Sequence, residues 1–185
     1  IELLEKMGVK VIGVSDSSGA TMNKDGFSYE ELTSCREDHG TVCEIGENIS
    51  NDELLGLDVD FLVPAAIENV ITGDNADKVI ADYVVEIANG PTTREADDIL
   101  EKNGVTMVPD VLANSGGVTV SYYEWVQNRT GEYWEKNEVL DKLRENIQSA
   151  YVQFRELADQ ENVYGRKAAY MIGARKIVET MKARG

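Results

Sequence analysis

Short apolar runs that end in small or polar residues, with helical stretches between them, constrain this chain more than any other feature. "VKVIGVSD" (9–16) is rich in β-branched residues and ends in Asp16. "VDFLVPAA" (59–66) is a continuous apolar run closed by Pro64 and reads as a strand buried on both faces. "DYVVEIAN" (82–89) and "VTMVPD" (105–110) repeat the pattern. The spacing predicts helices over 74–80 and 93–102, the second capped by Thr92 or Thr93 with Glu95 in its first turn. Such alternation predicts an α/β chain, with right-handed βαβ units and a mostly parallel sheet carrying helices on both faces. Ligands of such sheets bind beyond the carboxyl ends of the strands. Those ends are Asp16, Ala65-Ala66, Asn89-Gly90-Pro91 and the turn at 114–117, all small or polar where core residues would otherwise continue. The pattern is that of a cofactor cleft, although a fold alone does not name its ligand.

The segments around this frame are less regular. "IELLEKMG" reads as the tail of a helix stopped by Gly8, with something expected to precede it. "GATMNKDGFS" (19–28) reads as a turn or hairpin bending at Asp25-Gly26, followed by a polar helix over 28–39 and a short strand over 41–45. In "LANSGGVTVSYYEWVQN" (112–128) two glycines lead into a helix that carries Ser121 on an otherwise apolar side. They form either a plain turn or a place where backbone N–H groups come up to a ligand. From 135 onward Val139, Leu140, Leu143, Ile147, Ala150, Tyr151, Phe154 and Leu157 follow helical spacing. Gly165 then separates a closing helix, so the C-terminal third is helical.

Composition removes several classes of function. The 185 residues hold 34 acidic and 18 basic side chains, a formal net charge of −16, which repels phosphate backbones and argues against nucleic acid as a partner. The excess carboxylate serves solubility, or hydration at high internal salt, and composition leaves both open. No run approaches the length of a membrane-spanning helix, so no membrane partner is expected. Cys35 and Cys43 flank the one histidine, His39, without Cys-x-x-Cys spacing. No metal site is expected from them. They read as reduced thiols on one polar helix of a cytoplasmic protein without a signal peptide.

"VPAAIENVI" (63–71), "VVEIANGPTTREAD" (84–97) and "VPDVLANSGGVTVSYYEWVQN" (108–128) resemble the coenzyme-binding domain of glutamate dehydrogenase, in the wider glutamate/leucine/phenylalanine/valine dehydrogenase family. The likeness runs from "EKMGVKVIGVSDSSG" to "AAYMIGARKIVETMKARG", with the motifs in order. It implies a Rossmann-like fold and reversible oxidative deamination of L-glutamate to 2-oxoglutarate and ammonia. It also implies hydride transfer to NAD or NADP and a homo-oligomer, by resemblance a hexamer. Residues 1–163 would form the coenzyme-binding domain, and 164–185 a closing helix that packs toward a separate substrate domain.

The resemblance also assigns residues. Asp16 would hold the adenosine ribose and repel a 2′-phosphate, which leans the coenzyme toward NAD; the alternative is a turn or N-cap aspartate. Ala65 and Ala66 would let the dinucleotide approach, or serve only helix–sheet packing. Asn89 would contact the nicotinamide ribose, or form an Asx turn before Pro91. Asn114 would lie beside the nicotinamide and the amino-acid end of the substrate. Ser121 would bind the substrate's side-chain carboxylate, where the leucine and phenylalanine enzymes carry an apolar residue, and Val118 would touch its methylene chain. The alternative for Ser121 is a hydroxyl bonded back to its own helix.

The chain departs from the family pattern at Ile87, where many relatives have Gly and where a larger side chain would crowd the coenzyme, and mildly at Ser115, where many have Ala. The Gly-rich pyrophosphate loop with its strand, and the domain that carries the catalytic lysines and aspartate, are expected upstream of residue 1. This chain therefore holds no catalytic residue and should be inactive alone, with open sheet edges that leave it marginal or associated. The rival readings are a non-catalytic binding module and an amino-acid dehydrogenase of other specificity.

Overall fold

The computed structural model describes residues 1–42 and 45–185, which form two three-stranded sheets and the helices packed on them. Helix α1 (Glu2–Lys6) stops at Gly8, whose φ of 78° is the left-handed end expected from the sequence. Strands β1 (Val11–Asp16) and β2 (Gly19–Phe27) form an antiparallel hairpin that turns at Ser17-Ser18, with Asp16 opposite Gly19. The expected bend at Asp25-Gly26 is a bulge within β2. Gly13 pairs with Met22 but Val11 with Phe27, and Gly26 takes up the excess at φ 92°. Strand β3 (Glu47–Ile49) pairs antiparallel with β2, so this first sheet departs from the parallel pairing expected of it. The reason is local: a two-residue connection after Asp16 can close a hairpin but cannot carry a crossover.

Helix α2 (Tyr29–His39) opens on a capping box between Ser28 and Glu31 and ends at Gly40, φ 74°. The strand expected over 41–45 is not found in its described part, where Thr41, Val42 and Ile45 lie in bends. Cys43 and Glu44 lie outside the described residues. Cys35 is buried in α2, and its thiol donates to the Thr41 carbonyl. A second capping box, Ser50 with Glu53, starts α3 (Asn51–Leu55).

The parallel sheet consists of β4 (Phe61–Leu62), β5 (Tyr83–Val85) and β6 (Thr106–Val108), in that order. Its register sets Phe61, Tyr83 and Thr106 side by side, so the three carboxyl ends leave on one edge. The helix expected over 74–80 is a 3-10 turn at Ala76–Lys78. Helix α4 (Arg94–Lys102) begins at Thr93, whose hydroxyl accepts the Ala96 N–H. Helices α5 (Asp110–Ala113), α6 (Gly116–Thr130), α7 (Lys136–Glu161) and α8 (Gly165–Ala183) complete the chain, and the C-terminal third is helical as expected.

Alternation along the strands divides the core. Val84 and Met107 join Ile71, Val79, Ala96, Leu100 and Val105 on the α4 side. Val85 and Val108 face Phe154, Leu157 and Ala168 of α7 and α8 on the other. Helices thus cover both faces of this sheet. The strand expected over 59–66 is shorter and less buried than its apolar run suggested, because β4 is an edge strand: Phe61 is 54% exposed and lies against the Tyr83 ring, centroids 5.2 Å apart. Gly165 brings α8 directly onto β6, since a Cβ there would lie 2.3 Å from the Met107 carbonyl oxygen. The far half of α8 leaves Ile177, Val178 and Met181 exposed. No helix among the described residues is long and apolar enough to cross a membrane.

Candidate functional site

The loops that leave the parallel sheet are tied into one surface. The Pro64 carbonyl accepts the N–H groups of both Ile87 and Ala88, joining the loop after β4 to the end of β5. Gly90, at φ 55° where glycine costs least, accepts the Asn69 N–H through its carbonyl and donates its own N–H to Asp110 Oδ2 at 2.8 Å. Asn114 Nδ2 donates to Asn89 Oδ1 at 2.7 Å and to the Ile87 carbonyl at 3.3 Å. Four of the expected site residues, Ala65, Ala66, Asn89 and Asn114, therefore lie on the carboxyl edge of this sheet, and the two asparagines touch.

Beside them α6 starts at Gly116-Gly117. A Cβ on Gly117 would meet nothing within 4 Å, and its φ is not positive, so neither packing nor backbone geometry asks for glycine there. Val118 is 71% exposed and Ser121 is exposed one turn further along the same side. The Ser121 hydroxyl donates to the Gly117 carbonyl at 3.1 Å, the bond that the intrahelical alternative predicted. Ile87 is exposed on the same edge.

Asp16 stands in the other sheet, at the β1–β2 turn. Its two oxygens accept the N–H groups of Ser18 at 2.7 Å and Val42 at 2.9 Å, and these bonds hold its carboxyl below the usual aspartate range. The charge is thus fixed at the strand end, where one carboxylate oxygen also closes the β1–β2 turn.

Sequence reasoning missed the most heavily bonded group near the site. Arg166 of α8 donates through Nη2 to Glu86 Oε1 at 2.7 Å, through Nε to Asp97 Oδ2 at 2.6 Å, and through Nη1 to Glu86 Oε2 and Asp110 Oδ1. Glu86 is fully buried, and Arg166 is 18% exposed. Burial pushes the Asp97 carboxyl up, against the pull of Arg166. Hydrogen bonds to Asp97 and Glu86 raise the guanidinium further above its ordinary range despite its burial. The one available signal was Glu86 itself, a charge set between Val85 and Ile87 in an otherwise apolar strand run.

The family model for "Glutamate/Leucine/Phenylalanine/Valine dehydrogenase" matches residues 1–185. The chain belongs to this dehydrogenase family. An NAD-specific glutamate dehydrogenase of Staphylococcus aureus is 48% identical over the whole chain, which spans 45% of that relative's length. Among solved structures, the glutamate dehydrogenase of Peptoniphilus asaccharolyticus is 38% identical with a TM-score of 0.82, over all of this chain and 43% of that one. A hetero-hexameric glutamate dehydrogenase of Thermus thermophilus, in its Leu-bound form, is 30% identical with a TM-score of 0.88, over 98% of this chain and 43% of that one. The chain therefore spans less than half the length of these dehydrogenases, and its α/β architecture is theirs.

Proposed function

We propose that this chain is the coenzyme-binding part of an NAD-dependent glutamate dehydrogenase, active as an oligomer. The observation that carries the reading is the convergence of Asn89, Asn114, the open Gly117 and Ser121 on one edge of a parallel sheet. Residues 1–163 would hold the dinucleotide. Residues 164–185 would brace that part through Arg166 and extend the exposed Ile177, Val178 and Met181 toward a substrate domain.

The residues present fit such a group. Open space above Gly117 admits a flat ring, and the amides of Asn89 and Asn114 offer donors and acceptors to a ribose and to the amino-acid end of a substrate. The fixed negative charge of Asp16 suits two ribose hydroxyls and opposes a 2′-phosphate, which supports NAD. Ala65 and Ala66 add no bulk at the β4 end. The bound nicotinamide would accept the hydride from the substrate's α-carbon. The chain's own share is to bind and to orient, with no residue here assigned acid–base work.

Ser121 sets the substrate in this reading. A hydroxyl on an apolar helix side can turn from the Gly117 carbonyl to donate to a carboxylate, whereas an aliphatic side chain leaves that charge unpaired. The intact enzyme is expected to oxidise glutamate far better than leucine and to reduce NAD ahead of NADP. Ser121→Ala should cut the glutamate-over-leucine preference in kcat/KM about ten- to a hundredfold, the loss of a hydrogen bond to a charged group. Equal turnover of both amino acids by the unaltered enzyme would overturn the assignment.

A further inference from the structure

We infer that Arg166 and Asp110 are positioning residues for the coenzyme loop, acting through the Gly90 N–H to fix Asn89 against Asn114. The inference rests on the coenzyme site proposed above, but its bonds are its own. Arg166 Nη1 reaches Asp110 Oδ1 at 3.3 Å, while Asp110 Oδ2 accepts the Gly90 N–H at 2.8 Å. Glu86 Oε2 accepts both Arg166 Nη1 at 3.0 Å and the Asp110 N–H at 2.8 Å, so the start of α5 is pinned from two sides. Asn89 precedes Gly90 directly and receives Asn114 Nδ2 at 2.7 Å. A path of hydrogen bonds of 2.7 to 3.3 Å, joined through the Asn89–Gly90 peptide, thus runs from α8 to the amide pair on the strand edge.

The charge balance argues that packing is not its only purpose. Three carboxylates face one guanidinium, and the surplus is met by the backbone N–H groups of Gly90, Asp110 and Val111. An ion pair built only to join α8 to β5 needs one carboxylate. Asp110 is the member that faces the loop, and its second oxygen sets where Gly90 sits. A neutral amide at this position could turn its NH2 toward the Gly90 N–H and push the loop away.

The test compares Asp110→Asn and Arg166→Lys with the unaltered enzyme, each as the intact protein. The expected result for Asp110→Asn is a KM for NAD raised about tenfold, with kcat per folded active site within about threefold. Hydrogen exchange of the peptide covering Gly90 should quicken in parallel. Arg166→Lys, which keeps the charge but loses the fork, should raise KM in the same direction by less and remains informative if Asp110→Asn does not fold. A purely structural role would lower melting temperature and active fraction while leaving the KM for NAD unchanged. That outcome, or unaltered Gly90 exchange in a folded variant, overturns the inference. Absence of glutamate-dependent NAD reduction in the unaltered enzyme would instead count against the proposed function, and the exchange measurement would still decide the Arg166–Asp110–Gly90 path.

Discussion

Replacing Arg166 with Met is expected to cost about 3–5 kcal/mol of stability, because it strands buried carboxylates without a partner. Glu86 is 0% exposed at its side chain, and Asp97 and Asp110 are 14% and 16% exposed, so none can recover full hydration when the guanidinium is gone. Methionine matches much of the arginine's aliphatic volume, which separates lost pairing from lost packing. The paired variant Arg166→Met with Glu86→Gln should recover part of the loss, since the most deeply buried charge is then neutral. Exposed pairs such as Arg144–Asp141 should give about 0–1 kcal/mol in the same measurement. Denaturant unfolding of the intact protein checks this through the shift in midpoint. A shift no larger than that of the exposed pair would mean that water reaches the cluster and supports its charges.

Leu100→Ala should cost about 2–5 kcal/mol, at the upper part of that range. Leu100 is fully buried between Ile71, Val84, Val105 and Met107, and its neighbour one turn earlier on α4 is already an alanine, Ala96. How much such a cavity costs depends on whether the surroundings can close over it. Here α4 is held at both ends of its first half, by the Thr93 cap and by the Asp97 bonds to Arg166, so it cannot slide inward. Leu100→Met, which conserves volume, should lose less than about 1.5 kcal/mol. Thermal melts of the two variants test the claim, and equal losses would show that cavity volume is not what governs the site.

The strand–helix alternation of the parallel sheet was legible because each run carried its own punctuation. Thr93 caps α4, Gly8 ends α1, and the Gly116-Gly117 step opens α6, all from local chemistry. The meeting of Asn89 and Asn114 followed from parallel pairing, which sends both strand ends to one edge. What stayed hidden depended on distant partners or on weak local preference. "ENI" forms β3 only because β2 offers an edge to pair with. The run at 59–66 carried no sign that β4 would be an edge strand, since burial depends on neighbours that periodicity does not describe. Arg166 and Glu86 are 80 residues apart, and neither reveals the other until α8 lies on β6. Gly165 and Ala168 of α8 lie buried against this chain's own core, a packing that helical spacing does not describe.

The amide pair at the strand edge has a thermodynamic consequence for any polar ligand that settles there. Asn114 Nδ2 already donates to Asn89 Oδ1, and the Ser121 hydroxyl already donates to Gly117. A neutral ligand that takes over these two donors must first separate them from their present acceptors, so each new hydrogen bond replaces an old one of comparable strength. Titration calorimetry should therefore find little heat from these polar contacts. The temperature dependence of binding should follow instead the apolar area covered at Val118 and Ile87, as a negative heat-capacity change. For such a ligand the polar groups of the edge would select by geometry, while the apolar area covered at Val118 would set the temperature dependence of binding.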